Sequence, residues 1–285
     1  VNTQYRKIFN SEAVNYDEIL WAREYIEGVV MHPTTWYFNS ATSGSCWSMT
    51  KDFLNTYLNR DGSRYTDDAS YKTNSYCEEL NPNRDARIAQ TIITPTYAKL
   101  QGGKMSEAVP NFNVTRTGYQ IIKFNIDDSS LESTTTSYNS IPVMRYAEVL
   151  LNYAEAMTNA FGPDYTDAQF PISAREAVNR VRKRSDVNMP ELPAGMSKAD
   201  FLERLKNERR VELAFEGHRF WDVRRWKDLN QTANIYGVKV KKTDSGFSYD
   251  KFLYETRTVT DNLYFYPISN TEKYKNPSLG QNPGW

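Results

Sequence analysis

The sequence predicts a mainly α protein with long irregular loops and a few short strands. Three observations predict it. Helical periodicity with clear start signals fills residues 142–227. Residues 31–48 and 62–86 are rich in Thr, Ser, Asn, Asp and Tyr and show no period. Only two short runs, 88–93 and 119–124, have the β-branched and aromatic character of strands.

Taken in chain order, residues 17–30 ("DEILWAREYIEGVV") enter either a helix or a strand, because β-branched residues gather at the end of the run. Residues 31–48 ("MHPTTWYFNSATSGSCWS") are expected to form a long ordered loop. "TKDFLNTYLN" reads as a short helix, with Thr50 as N-cap and Asp61-Gly62 as its stop. Residues 62–86 read as loop. Helix 142–160 starts with Pro142 in its first turn, where the missing N–H is not needed. Helix 173–185 opens on the Ser173/Glu176 capping pair, and the next one on Ser197/Asp200. Gly217 ends or bends that helix, and "HRFWDVRRWK" continues as a shorter one. Helices joined by short loops argue for antiparallel packing. After Asn230 the chain is mixed and Tyr-rich, and its last stretch holds too much Pro, Gly and Asn for regular structure. A tail ending in Trp285 implies one pinned by a ring.

Bulk properties exclude several function classes. With 285 residues the chain can bury a substantial core as one large domain or two small ones. Lys+Arg and Asp+Glu are equal at 35 each, so no global field draws nucleic acid or an anionic membrane. No apolar run is long enough to span a bilayer. The opening "VNTQYRKIFN" lacks the basic start and apolar stretch of a signal peptide, and no initiating Met is present; a mature chain or a fragment is expected. Cys46 and Cys77 are either a disulfide of an oxidising compartment or two buried thiols. With only His32 and His218 and no CxxC, no metal site or cofactor is expected. GxSxG, phosphate-loop and HExxH motifs are absent, and Asp61-Gly62 with Asp67 and Asp68 places its glycine wrongly for a calcium loop.

The informative stretch is "NERRVELAFEGHRFWDVRRWK", residues 207–227. At about 100° per residue, Phe201, Leu205 and Phe215 share one arc with Glu208, Glu212 and Glu216. Carboxylates at i, i+4 and i+8 repel one another, and an interior tolerates them only when cations meet them. Arg209 borders the arc, and Arg219 and Arg225 follow. On helix 142–160 the apolar face is Tyr146, Leu150, Tyr153, Ala154 and Met157, opposite a stripe of Arg145, Glu148, Asn152 and Glu155. Arg145 can therefore bridge to Glu212 or Glu208. A structural charge network of Arg145, Glu148, Glu208, Arg209, Glu212, Glu216 and Arg219 is expected. Catalytic carboxylates would face each other across a cleft rather than project from one helix face, and a nucleic-acid helix would not interleave acids.

The same stretch resembles the signature helix of the SusD/RagB family of outer-membrane nutrient-binding lipoproteins. "IPVMRYAEVLLNYAEA" and "AREAVNRVRKRS" resemble the family's RYAE helix and the helix after it. "TKDFLNTYLNRDG", "RDARIAQTII", "TGYQIIKF" and "LYFYPISNTEKYKNPSLGQNPGW" follow in the family's order, so the likeness covers essentially residues 1–285 as one SusD/RagB-like domain. Family members are usually about twice as long, with a lipid-bearing N-terminal Cys; that half is missing, and Cys46 lies too deep to carry the lipid. The resemblance implies a SusD-like fold with tetratricopeptide-like helical pairs, residues 142–160 with 173–185 forming one. It implies no catalysis, no cofactor, and capture of an oligosaccharide for a SusC-like TonB-dependent transporter at the cell surface of the outer membrane. The lipid anchor would be absent from this sequence. A peptide-binding or protein-docking scaffold is the alternative, and a glycosidase ranks last.

No ligand residue transfers by motif, so candidates rest on composition. Aromatic content is 14%, led by 20 tyrosines, and sugars bind to ring faces flanked by amides and carboxylates. The candidates are Trp36, Tyr37, Asn39 and Trp47 in the first loop, and Tyr65, Tyr71 and Tyr76 in the second, near Asp67, Asp68 and Asn74. For any one ring, packing the loop onto the core is the competing role.

Overall fold

A computed structural model describes residues 4–42 and 44–285; Val1, Asn2, Thr3 and Ser43 lie outside the described residues. The first half holds short elements: α1 (Lys7–Asn10), β1 (Ile19–Arg23), α2 (Thr34–Asn39), α3 (Lys51–Asn55), α4 (Tyr76–Glu79), α5 (Arg87–Thr91), β2 (Ala98–Gln101) and β3 (Lys104–Glu107). After β4 (Ile141–Arg145) come the long helices α6 (Tyr146–Phe161), α7 (Ala174–Arg182) and α8 (Lys198–Glu212), then α9 (Arg219–Arg225). A hairpin of β5 (Asn234–Thr243) and β6 (Gly246–Thr256) and a short α10 (Asn270–Lys275) complete the chain. The fold is helix-rich, and the three sheets among the described residues are antiparallel pairs: β1 with β4, β2 with β3, β5 with β6.

The long helices form where the sequence signals them. Ser173 and Ser197 cap α7 and α8 by accepting hydrogen bonds from the backbone N–H of Glu176 and Asp200. Leu150, Leu151, Ala154 and Met157 repeat at helical spacing on α6 and meet Ala177, Val178 and Val181 of α7 and Phe201 and Leu205 of α8 in one buried cluster. A second cluster joins α3, α4 and α5 to the hairpin through Leu54, Tyr76, Ile88, Val238 and Val240.

Several local readings are corrected by tertiary contacts. Of the ambiguous residues 17–30, Ile19–Arg23 form strand β1, and Ile26 bridges to Val30 across a turn; none of them is helical. Pro142 does not open a helix: it sits in β4 opposite Ala22, and the helix begins at Tyr146. A two-stranded sheet is all edge, so a residue without an N–H is tolerated there. The run 88–93 is not a strand, because its first residues form α5; a single bridge, Ile92 to Ile121, links it to 119–124. A buried helical turn and a buried strand look alike over so few apolar residues. The segment 31–48 contains α2, and 62–86 contains two 3-10 turns and α4. The hairpin was legible but unread: Val238 and Val240 are buried while Lys239 and Lys241 face solvent, a period of two. The Trp285 indole N–H donates to the carbonyl of Asn262 at 3.0 Å, so the tail is held through its ring. Cys46 and Cys77 are free thiols, and Cys77 is exposed rather than buried.

One glycine decides how the hairpin docks. Gly118 has φ +81°, and a Cβ there would lie 2.0 Å from the Val238 carbonyl oxygen, beside the 2.8 Å bond from Val238 N–H to Thr117 O. Gly102 also has a positive φ, but its Cβ would meet nothing within 4 Å. Gly118→Ala should therefore lose at least about 2 kcal/mol of stability, and Gly102→Ala only about 1 kcal/mol. Urea midpoints of the two variants check this; equal losses would remove the steric argument.

Candidate functional site

The acidic row of α8 is enclosed. Glu208 is 2% exposed and Glu212 is fully buried. Arg87 and Arg182 each donate to Glu208 at 2.6 Å. Arg145 and Arg184 reach Glu212 Oε1 at 2.7 Å, and Arg87 reaches its other oxygen at 2.9 Å. Glu216 lies beyond the end of α8, in the turn where Phe215 and Gly217 both take positive φ. That turn still delivers its carboxylate to Arg145, which binds both oxygens at 2.6 and 2.8 Å, and to Lys123 at 2.7 Å. Glu18 accepts from Arg184 at 3.0 Å, and Asp85 binds Arg87 through both of its oxygens. Five acids and five bases meet in this cluster.

Burial pushes the Glu212 carboxyl up, but Arg184, Arg145 and Arg87 more than offset it and hold it well below the usual carboxylate range. Burial likewise raises Glu216, and Arg145 with Lys123 reverses the shift. Lys123, fully enclosed against Phe9, is lowered by burial to about 8, with Glu216 partly restoring it.

Three expected members of the network lie elsewhere. Arg209 bonds Asp222 at 2.8 Å and the Asn152 side chain at 2.8 Å. Glu148 faces His218 at 3.7 Å. Arg219 bonds the Gln231 amide oxygen at 2.9 Å. Each lies close to the row in sequence, but its side chain leaves on another face. Sequence reasoning missed Arg87, Arg182, Arg184, Lys123, Glu18 and Asp85. The basic run at 180–184 was a usable signal; nothing local marked the others.

The aromatic candidates divide by exposure. Trp47 is 52% and Tyr37 47% exposed, with Trp36 half-buried against Tyr37 at 4.9 Å. Asn39 is occupied internally: its amide N–H donates to Thr35 O at 2.7 Å and its oxygen accepts from Gln120. Tyr65 and Tyr76, at 3% and 1% exposure, are core rings and offer no face to a ligand. Arg84 covers Tyr65 at 3.7 Å, and the Tyr76 hydroxyl donates to Ile93 O. Tyr71 remains half-exposed on a cleft.

That cleft runs beside α8. It consists of two cavities, of about 390 and 630 Å³, that share Asp52, Arg210 and Gln231. Its walls are α3, the outer face of α8, the segment around Tyr71, and residues 230–236. On α8, Asn207 and Arg210 stand roughly opposite Glu208 and Glu212 at about 100° per residue, so one helix faces the charge cluster on one side and the cleft on the other. Phe53, Tyr71 and Tyr236 supply rings, and Asn55, Asn230 and Gln231 supply amides. Rings with convergent amides and charges can hold the apolar face and the hydroxyl rim of a sugar. Among the described residues, no group of three His, Cys, Asp or Glu is placed to hold a metal ion, and no helix is long and apolar enough to cross a membrane.

Comparison with known proteins adds a family. The sequence profile of the SusD family matches residues 17–285. SusD-like protein P2 of Formosa agariphila is 30% identical over 159 residues, covering 53% of this chain and 26% of that protein. A SusD-like carbohydrate binding protein of Bacteroides fragilis superimposes with a TM-score of 0.69 at 25% identity, covering 97% of this chain and 57% of its own. A further SusD-like protein of that organism gives a TM-score of 0.71 at 21% identity, covering 99% and 57%. The chain thus spans little more than half of the solved relatives and about a quarter of the curated one.

The cluster makes two predictions. Arg145→Met and Glu212→Leu should each lose about 3–5 kcal/mol, because each strands a buried charge. The double variant should lose less than the sum by at least about 1 kcal/mol in urea melts, and strict additivity would contradict the pairing. The pH dependence follows from the depressed carboxyls of Glu212 and Glu216. Their stabilisation is complete above the ordinary carboxylate pKa and is lost as pH falls through their lower folded-state values. Urea midpoints should drop steadily below about pH 5, and a flat profile down to pH 3 would count against it.

Proposed function

The chain belongs to the SusD family, and from that premise we propose that it is a non-catalytic glycan-binding protein of the bacterial surface. It captures oligosaccharides at the outer membrane and passes them to a SusC-type TonB-dependent transporter. The observation that carries this reading is the cleft: rings and amides converge on a cavity of ligand size, in a chain 25% identical to a solved SusD-like carbohydrate binding protein.

The absence of catalysis rests on where the acids are. The carboxylates that sequence alone makes attractive, Glu208 and Glu212, are enclosed and held by two and three cations. A general acid or base must reach a substrate proton, and these do not reach solvent. Asp52 and Glu203 line the cleft; in this reading they accept hydrogen bonds from sugar hydroxyls.

A second reading, docking of a protein partner, is favoured by the β1–β4 pair, where Leu20, Trp21, Val143 and Met144 are all exposed.

Calorimetric titration with oligosaccharide and peptide panels separates the two. Oligosaccharides should bind without being cleaved. Tyr236→Ala should weaken them about tenfold, the loss of one stacking ring of roughly 1.4 kcal/mol. Trp47→Ala tests the exposed first-loop ring in the same way. Binding of peptides alone, or release of glycan products, would overturn the reading.

A further inference from the structure

The cleft carries a charge that its role in sugar binding does not require. Its lining holds six cations, Arg64, Arg204, Lys206, Arg210, Arg219 and Arg257, against two carboxylates, Asp52 and Glu203. The whole chain is balanced at 35 and 35, so this surplus is local. Lys206 is answered by Glu203, and Arg257 by Glu255. Among the described residues, Arg64, Arg204, Arg210 and Arg219 have no ion pair with a carboxylate, whereas the buried Arg87, Arg145, Arg182 and Arg184 all do.

Arg210 and Arg219 are the pair to explain. Both guanidiniums donate to one neutral atom, Oε1 of Gln231, which brings two like charges together. Arg210 Nε is shielded from solvent and has no acceptor among the described residues. Of the acids near them, Glu203 pairs with Lys206, and Asp52 forms no ion pair with either guanidinium among the described residues. Asp228 accepts from the Gln231 amide, and Asp222 holds Arg209 and Arg225. Two half-buried guanidiniums converging on a cavity with donors to spare form an arrangement that a bound anion relieves, since charge-assisted, planar hydrogen bonds are what this fork makes best.

We propose that the Arg210–Arg219 end of the cleft is an anion subsite that takes the carboxylate or sulfate substituent of an acidic oligosaccharide. This rests on the glycan-binding reading above. The rings of Phe53 and Tyr236 line the same cavity as Arg210 and Arg219, so the anion arrives on a sugar ring rather than as a free ion. On the neighbouring wall Arg204 and Arg64 extend the positive lining, with room for a second charged residue along the chain.

The test is calorimetry with length-matched probes: neutral xylo-oligosaccharides, oligogalacturonates, and sulfated carrageenan oligosaccharides, with inorganic sulfate and a single-stranded oligonucleotide alongside. An acidic series should bind at least about tenfold tighter than the neutral one, with affinity falling as NaCl rises. Comparing the uronate and sulfate series tells which substituent is taken. Arg210→Gln with Arg219→Gln should abolish the preference, so that the variant binds acidic and neutral sugars with equal affinity, and Arg224→Gln, outside the cleft, should leave the preference unchanged. Thermal melts confirm that the double variant folds; Arg204→Gln supplies an independent variant if it does not. Equal affinity for neutral and acidic sugars, or an acid preference that survives the double variant, would overturn the anion subsite alone. Tightest binding by the oligonucleotide or by bare sulfate would also overturn it. Failure of every oligosaccharide to bind would overturn the carbohydrate reading with it.

Discussion

The buried carboxylates of Glu208 and Glu212 constrain the rest of the structure. A helix that turns two acids inward one turn apart is stable only if cations are brought to them, and these cations come from distant segments. Arg87 arrives on α5, Arg145 at the end of β4, Arg182 on α7 and Arg184 just after it. Each bond fixes the position of the element that carries it. The β1–β4 pair, the short α5 and the helices α6 to α8 are held in mutual register by charge geometry as much as by the apolar cluster around Leu150, Val178 and Leu205. Hydrophobic packing tolerates small slips, whereas two-pronged contacts such as that of Arg145 on Glu216 do not.

The same helix explains why the cleft differs from the interior. On the inner side of α8 every charge is answered and the sum is zero. On the outer side Arg204 and Arg210 face a cavity and, among the described residues, pair with no carboxylate. One side is a closed scaffold; the other has donors to spare. A rigid inner side holds the outer donors in place without their own ion pairs, which is the preorganisation a binding site needs.

Legibility varied with the range of the deciding interaction. Capped helices α7 and α8 and the apolar face of α6 were readable, because a helix bonds to itself over four residues and announces its ends. Elements that depend on a partner strand were not. Pro142 looked like a helix start until β1 was placed beside it, and residues 88–93 looked like a strand until α5 closed. Among ligand candidates, composition could not separate Trp47, which is exposed, from Tyr76, which is core, since both rings sit in polar stretches. The walls of the cleft were unreadable for a related reason: they join residues near 52, 71, 207 and 231.

By itself the sequence determined the three long helices, the inward direction of the acidic row on α8 and the need for cations to meet it, because these follow from a local period of 3.6 residues. Only the tertiary structure decided which cations answer. Arg87 and Arg184 were recruited, while Arg209 and Arg219 were turned away, although the latter stand closer in sequence. The physical reason is that charge pairing depends on distance in space across a folded core, and no periodicity along the chain encodes which distant segment will arrive there.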